Sequence, residues 1–399
     1  MLDLKISKFL INSLFSILKE KKLYLHEPLF SGNEWKKVKK AIIKKNVAAL
    51  GEEKNSLIKK IMQITNSKYV VLVCNGTSAL YLALKLLDLK KNEEILVPNL
   101  NFISSINAIL ALNCKPHIVD IDKKNLGIDA KKLENYLLKN TSIIKGKCIN
   151  IKTKNRIRAI IPTYIFGNCY DVLNIKKICK KFSLELIEDA AEALGTYYND
   201  KHAGTFGFAG IISFNGNKTI TTGGGGALML RKKKDYNQIN YWINNGKKKS
   251  LLKYDYHCPS FNFEMPNLNA CLGYAQILNI KNILNYKKKI HYQYKKLFKK
   301  NKNFTFFIPD KKKSKWNNWL QFLILNTSKK NLKNKIIKNG IKKNVFFRPA
   351  WNLLSNLDVK KFNYLKMDNL NNSKDIFEKI ICLPSCSQKT YLEYLKKLK

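Results

Sequence analysis

At 399 residues, with 45% hydrophobic side chains that include 20 Phe and 19 Tyr, the chain can bury a large domain plus a smaller one and is too apolar for disorder. A net charge of +46 invites a nucleic-acid reading, yet only four of the 74 basic residues are arginines (Arg156, Arg158, Arg231 and Arg348). Arginine is the side chain that reads bases and grips phosphates bidentately, so the composition argues against nucleic-acid binding as the primary function, while a basic surface that attracts a diphosphate-bearing substrate stays open.

The first apolar run, Phe9 to Leu18, is interrupted by Asn12 and Ser13 and meets Lys19-Glu20-Lys21-Lys22. It is too short for a membrane span, which wants ~20 apolar residues, and lacks the small-residue cleavage site of a signal peptide. It predicts an amphipathic helix, with residues 1–24 as a helical extension of a soluble, cytoplasmic protein. From residue 69 onward β-rich runs alternate with helical patterns, the signature of an α/β domain with a parallel sheet. Strands are predicted at Tyr69–Cys74, Glu94–Pro98, Pro116–Asp122, Arg158–Tyr164, Leu184–Glu188, Ile211–Phe214 and Ala227–Leu230. Helices are predicted at Ser78–Leu89, Ile103–Leu112 and around Asn174–Phe182. Near residue 280 the pattern turns to long lysine-laced helices, then to a small mixed unit that includes Asn317–Leu325 and Gly340–Val345. A large domain over 25–280 and a small C-terminal α+β domain over 281–399 follow. Charge is skewed toward the second part, with 38 basic against 9 acidic residues over 231–399. The nine scattered cysteines form no Cys-x-x-Cys pair, and Cys382 and Cys386 have no histidine nearby; buried thiols are expected, and no metal site.

In open α/β sheets ligands bind outside the carboxyl ends of the strands, and four features fall there. Asn75-Gly76-Thr77-Ser78 joins a strand to a helix; free N–H groups, hydroxyls and the helix dipole suit a phosphate, although an ordinary N-cap has the same residues. Asp189 follows a buried strand in Glu188-Asp189-Ala190-Ala191-Glu192. It could hold a pyridine nitrogen protonated, or simply cap a helix. Lys218 stands in Ser213-Phe214-Asn215-Gly216-Asn217-Lys218, a small polar loop before Thr221-Thr222 and four glycines. Most lysines here sit in charged runs; one held away from water can become a nucleophilic amine, while a surface lysine in a turn is the plainer reading. The glycines would let backbone pass close to a ligand. Phe102, in Asn99-Leu100-Asn101-Phe102, could stack on a flat ring or belong to the core.

In their order and spacing these features resemble one family. The strings NGTSALYLALKLL, EEILVPNLNFISSINAI, RAIIPTYIFGNCYDV, LELIEDAAEALGTYYNDKHAGTFG, SFNGNKTITTGGGGAL and FNFEMPNLNACLGYAQ are similar to the DegT/DnrJ/StrS sugar-nucleotide aminotransferases. YLHEPLFSGNEWKKV, FFRPAWNLL and the tetraglycine look most like the legionaminic-acid biosynthesis branch. The resemblance implies the pyridoxal-phosphate-dependent transferase fold of type I, with a mostly parallel seven-stranded sheet. It implies pyridoxal 5'-phosphate as cofactor, carried by Lys218, which would also shuttle the proton. Asp189 would pair with the pyridine nitrogen, Glu192 would contact the phenolic oxygen, and Phe102 would stack on the ring. Gly76, Thr77, Ser78 and Ser213 would bind the phosphate, and Asn262 would reach the phosphate of the neighbouring subunit of a homodimer. The implied reaction moves an amino group from glutamate to the C4 keto group of a nucleotide-linked 6-deoxy-hexose, for surface glycans. Members that act as dehydratases have lost the lysine, which is present here.

Four residues at three places depart from the family pattern. Glu264 stands where Arg is usual, Ala48-Ala49 replaces a Ser/Thr pair before Gly51, and Asn101 replaces a Thr. None removes a cofactor residue; they bear on how the sugar nucleotide is held.

Overall fold

The computed structural model describes residues 2–48, 51–248, 253, 255–299, 301–310, 313–327 and 331–398; Ala49 therefore lies outside the described residues. Among the described residues the central sheet has ten strands, and seven form its body: β1 Tyr69–Val73, β2 Glu94–Pro98, β3 Lys115–Val119, β4 Arg156–Ile160, β5 Glu185–Asp189, β6 Ala209–Ser213 and β7 Gly226–Leu230. Their spatial order is β1-β7-β6-β5-β4-β2-β3. All point the same way except β7, which is antiparallel to both β1 and β6. β2 is buried at every residue and β5 at all but the first. These near-continuous apolar runs are what parallel strands covered on both faces require.

Among the described residues, ten helices precede the C-terminal sheet: α1 Leu2–Leu18, α2 Asn33–Ile43, α3 Glu52–Thr65, α4 Gly76–Lys85, α5 Ser104–Leu110, α6 Ala130–Asn140, α7 Val172–Lys181, α8 Lys233–Ile243, α9 Asn267–Leu278 and α10 Ile280–Phe298. Helix α4 begins two residues before the predicted Ser78, with Asn75 as its cap: the Asn75 side chain accepts from the Ser78 N–H at 2.8 Å. Helix α1 extends the predicted amphipathic run back to Leu2, and buries Ile6, Leu10, Leu14 and Leu18 in one cluster with Ile283, Ile290 and Phe298 of α10.

The C-terminal part adds β8 Phe304–Phe306, β9 Gln321–Leu325, β10 Leu365–Lys366 and β11 Ile380–Leu383. Strands β8, β9 and β11 form an antiparallel sheet, whereas β10 joins the central sheet beside β3. Gly340 lies within a helix, Leu332–Lys342. The hairpin formed by Thr141–Ile144 and Lys147–Asn150, which pairs with β4, carries no strand signal in the sequence reading. The carboxyl ends of β1, β5 and β6 converge on one edge. No helix among the described residues is long and apolar enough to cross a membrane.

Candidate active site

A cavity of about 380 Å³ opens at that edge. Gly76 and Thr77 from the start of α4, Phe102, Asp189, Glu192, Ser213 and Lys218 all line it, so the structure brings most of the predicted site residues together. At one end, the N-terminus of α4 faces Ser213. A Cβ placed on Gly76 would lie 3.1 Å from the Ser213 Cβ and 3.4 Å from its Oγ, so glycine leaves this end open beside the hydroxyl. Ser78 is not on the wall. Its N–H is spent on the Asn75 cap, and its Oγ lies 3.3 Å from the Cys74 Sγ.

Deeper in, Asp189 ends β5 and is buried, and its Oδ1 accepts from the Ala191 N–H at 3.1 Å. Burial raises its carboxyl above the ordinary value, while that N–H and the Lys218 charge pull it partly back. Glu192 is likewise raised by burial and lowered by Lys218. Its Oε1 takes the Lys218 amine at 2.9 Å, and its Oε2 accepts from the Phe166 N–H at 2.8 Å. Lys218 is thus a paired, mostly covered amine and not a surface lysine, with a side chain 16% exposed. Phe102, half exposed, stands edge-on to Trp351 at 6.3 Å between ring centres.

Sequence reasoning missed the wall contributed by the C-terminal part. The ring of Trp319 covers the Lys218 amine, 4.6 Å from Nζ to the ring centre, and its Nε1 donates to the Asn217 carbonyl at 2.8 Å. Asn317 donates to the carbonyls of Glu192 and Leu194 at 2.7 and 3.0 Å, and thereby fixes the turn that carries Glu192. His26 and Leu25 complete this side. The tetraglycine does not reach the cavity. A Cβ on Gly225 would meet Thr222 and Met265, and one on Gly226 would lie 2.7 Å from the Asn75 backbone, so both glycines serve close packing, Gly226 against the start of α4. Asn262 is exposed and off this wall, bridged through its backbone to Asn244. Glu264 pairs with Lys54 of α3 at 2.5 Å.

Residues 30–393 match the DegT/DnrJ/EryC1/StrS aminotransferase family. The chain belongs to that family. EpsN of Bacillus subtilis, named as a pyridoxal phosphate-dependent aminotransferase, is 28% identical over 376 residues, 93% of this chain and 92% of its own. The GDP-perosamine synthase of Vibrio cholerae is 30% identical over 270 residues, 67% of this chain and 68% of its own. Among solved structures, the fold is shared with Helicobacter pylori PseC, an aminotransferase involved in the biosynthesis of pseudoaminic acid. Its TM-score is 0.82 at 21% identity, covering 94% of this chain and 98% of PseC. This DegT/DnrJ/EryC1/StrS member is a pyridoxal phosphate-dependent sugar aminotransferase, and its donor set fits the cofactor. A helix N-terminus and a hydroxyl suit the phosphate, a buried carboxylate suits a protonated ring nitrogen, and a sheltered amine suits covalent attachment.

Proposed function

We propose that this family member transfers an amino group from glutamate to the C4 keto carbon of a 6-deoxy-hexose carried on GDP or UDP, in the making of a surface amino sugar such as legionaminic acid. The observation that carries the reading is Lys218, set 2.9 Å from Glu192 in a cavity that also holds Asp189 and the start of α4. The names of the relatives, a GDP-perosamine synthase and a pseudoaminic-acid aminotransferase, support a nucleotide-linked amino sugar as product.

When bound, pyridoxal phosphate supplies an electron sink for the carbon that loses its proton. The chain's own groups do the rest. Gly76 and Thr77 N–H groups with the Thr77 and Ser213 hydroxyls would hold the phosphate. Asp189 would keep the ring nitrogen protonated, and Phe102 would cover the ring. Burial favours the neutral form of the Glu192 carboxyl, which in that form can donate to the phenolic oxygen. The Lys218 Nζ would hold the cofactor and, once released from it, carry the proton between cofactor and substrate carbons. Lys218 in its place favours amino transfer over a dehydratase reaction.

Purified protein loaded with pyridoxal phosphate should absorb in the visible, and Lys218→Ala should remove that band and the turnover. Mass spectrometry of products from a panel of keto sugar nucleotides then identifies the acceptor. A protein that ignores the cofactor, or whose loaded form exchanges no nitrogen with glutamate, sinks the proposal. Asn262, exposed and off its own cavity, would act on the partner's site in a homodimer. Mixing Lys218→Ala with Asn262→Ala should then restore up to about a quarter of wild-type activity, since one heterodimer site has both residues intact. Two inactive variants that stay inactive when mixed would count against shared sites.

A further inference from the structure

A donor amino acid brings a carboxylate, and an anion entering a closed site needs a cation or a charge-backed N–H at the wall. Among the described residues that line the cavity, Lys218 is the only lysine, and there is no arginine. Lys218 is committed to the cofactor. Arg348 is exposed and off the wall. Another source of positive charge, the Lys287 amine, stands directly behind His26 of the wall.

The Nε2 of His26 lies 2.5 Å from Nζ of Lys287, a residue of α10 with no exposed surface. The Lys287 amine also donates to the Trp319 carbonyl at 3.3 Å, and among the described residues no carboxylate pairs with it. An ammonium can only donate, so it fills the Nε2 lone pair and leaves the ring hydrogen on Nδ1. That Nδ1 is shielded from solvent and has no partner. Buried polar groups in native proteins are paired almost without exception, so an orphaned N–H beside a substrate cavity needs an acceptor. Burial first, then the charges of Lys287 and Lys218, hold the imidazole well below its ordinary titration range, so it stays neutral. Burial lowers Lys287 only to about 8, so the amine is still mostly charged at pH 7.

We propose that His26 binds the carboxylate of the amino-acid donor: its Nδ1–H, brought to the cavity by a small turn of the ring, donates to a carboxylate oxygen, with the Lys287 ammonium as the charge behind it. Lys287 acts through His26 and is a positioning residue. The inference rests on an amino acid supplying the nitrogen, and is independent of which sugar receives it.

The test is equilibrium binding of maleate, an unreactive dicarboxylate, to the cofactor-loaded wild type, His26→Phe, His26→Asn and Lys287→Met. His26→Phe should bind about tenfold or more weakly, as expected for a lost hydrogen bond to a charged group. His26→Asn, which keeps an N–H donor, should retain part of the affinity, and Lys287→Met should lose most of it. With five histidines in the chain, imidazole ¹⁵N spectra can show His26 as the Nδ1-protonated tautomer, a preference that Lys287→Met should weaken. In His26→Phe the half-reaction with glutamate should lose more than the step from the pyridoxamine form to keto sugar, because a donor carboxylate takes part only in the first. Equal maleate affinity in wild type and in a His26→Phe that melts normally and carries its cofactor overturns the assignment, as does a wild type that binds no maleate. A variant impaired only toward the keto sugar overturns it as well, by moving His26 to the sugar side. Failure of the wider reading has a different sign: wild type that carries its cofactor and binds maleate but exchanges no nitrogen with glutamate.

Discussion

Asp189 is a carboxylate that the folded chain keeps at a cost when no cofactor is bound. Burial raises it above the ordinary aspartate value, so between the unfolded and folded titrations the folded chain holds a proton that the unfolded chain has released. Stability therefore falls as pH rises through that window, and the full cost is carried above it. Asp189→Asn removes the cost. Without cofactor the variant should melt at or above wild type at pH 7, and the gain should vanish as pH drops below ~4, the ordinary aspartate value. With pyridoxal phosphate added the order should reverse, because an amide does not hold the ring nitrogen's proton as a carboxylate does. Melts with and without cofactor at both pH values check this; a variant that melts well below wild type in the cofactor-free state would show that Asp189 supports the fold rather than burdening it. His26 and Trp319 touch this same site, yet neither was legible beforehand. Their decisive partners, Lys287 and Asn217, are 261 and 102 positions away, and no local pattern reports a contact at that distance. Asp189 could be read at the end of an apolar strand, and Lys218 in the small polar loop that follows another.

At the scale of elements, Glu264 shows how a departure from the family pattern is absorbed. Where arginine is usual, the acid pairs with Lys54 from α3, whose side chain is 11% exposed against 32% for Glu264. The Phe263 carbonyl beside it accepts from the Cys74 N–H at 2.8 Å, just before the cap of α4. The pair thus ties α3 to the strand end that leads into the cavity. Glu264→Arg should set two cations together and destabilise the fold, whereas Lys54→Glu with Glu264→Arg should recover the loss, with a coupling of about 1 kcal/mol in a double-mutant cycle. Additive losses would mean that the pair contributes nothing through its charges. The seven central strands were legible to within a few residues because burial on both faces leaves apolar runs in the sequence. Helices α2 and α3 went unread, since their buried stripes are narrow and crossed by lysines. The tetraglycine was read as an approach to ligand; two of its members instead make room for the chain's own backbone and side chains, and sequence alone cannot tell these uses apart.

For the whole molecule the charge of +46 needs an account that its site does not supply, because among the described residues only one lysine lines the cavity. Exposed lysines away from the cavity can act at a distance. A potential summed over tens of like charges draws in an anionic substrate before any contact is made, and salt screens it over a Debye length of about 8 Å at physiological ionic strength. A diphosphate-linked sugar carries at least two negative charges to the cavity; a neutral keto compound carries none. For the nucleotide sugar, kcat/KM should therefore fall severalfold between about 50 and 500 mM salt, while kcat changes little, because steps after binding do not depend on long-range attraction. Glutamate, with a smaller charge, should show a shallower slope. The comparison needs the same enzyme at matched cofactor loading in both salts, so that lost phosphate contacts to the cofactor are not mistaken for lost steering. Parallel salt slopes for the nucleotide sugar and an uncharged keto acceptor would remove steering as the use of this charge, and leave it as a solvated surface with no part in catalysis.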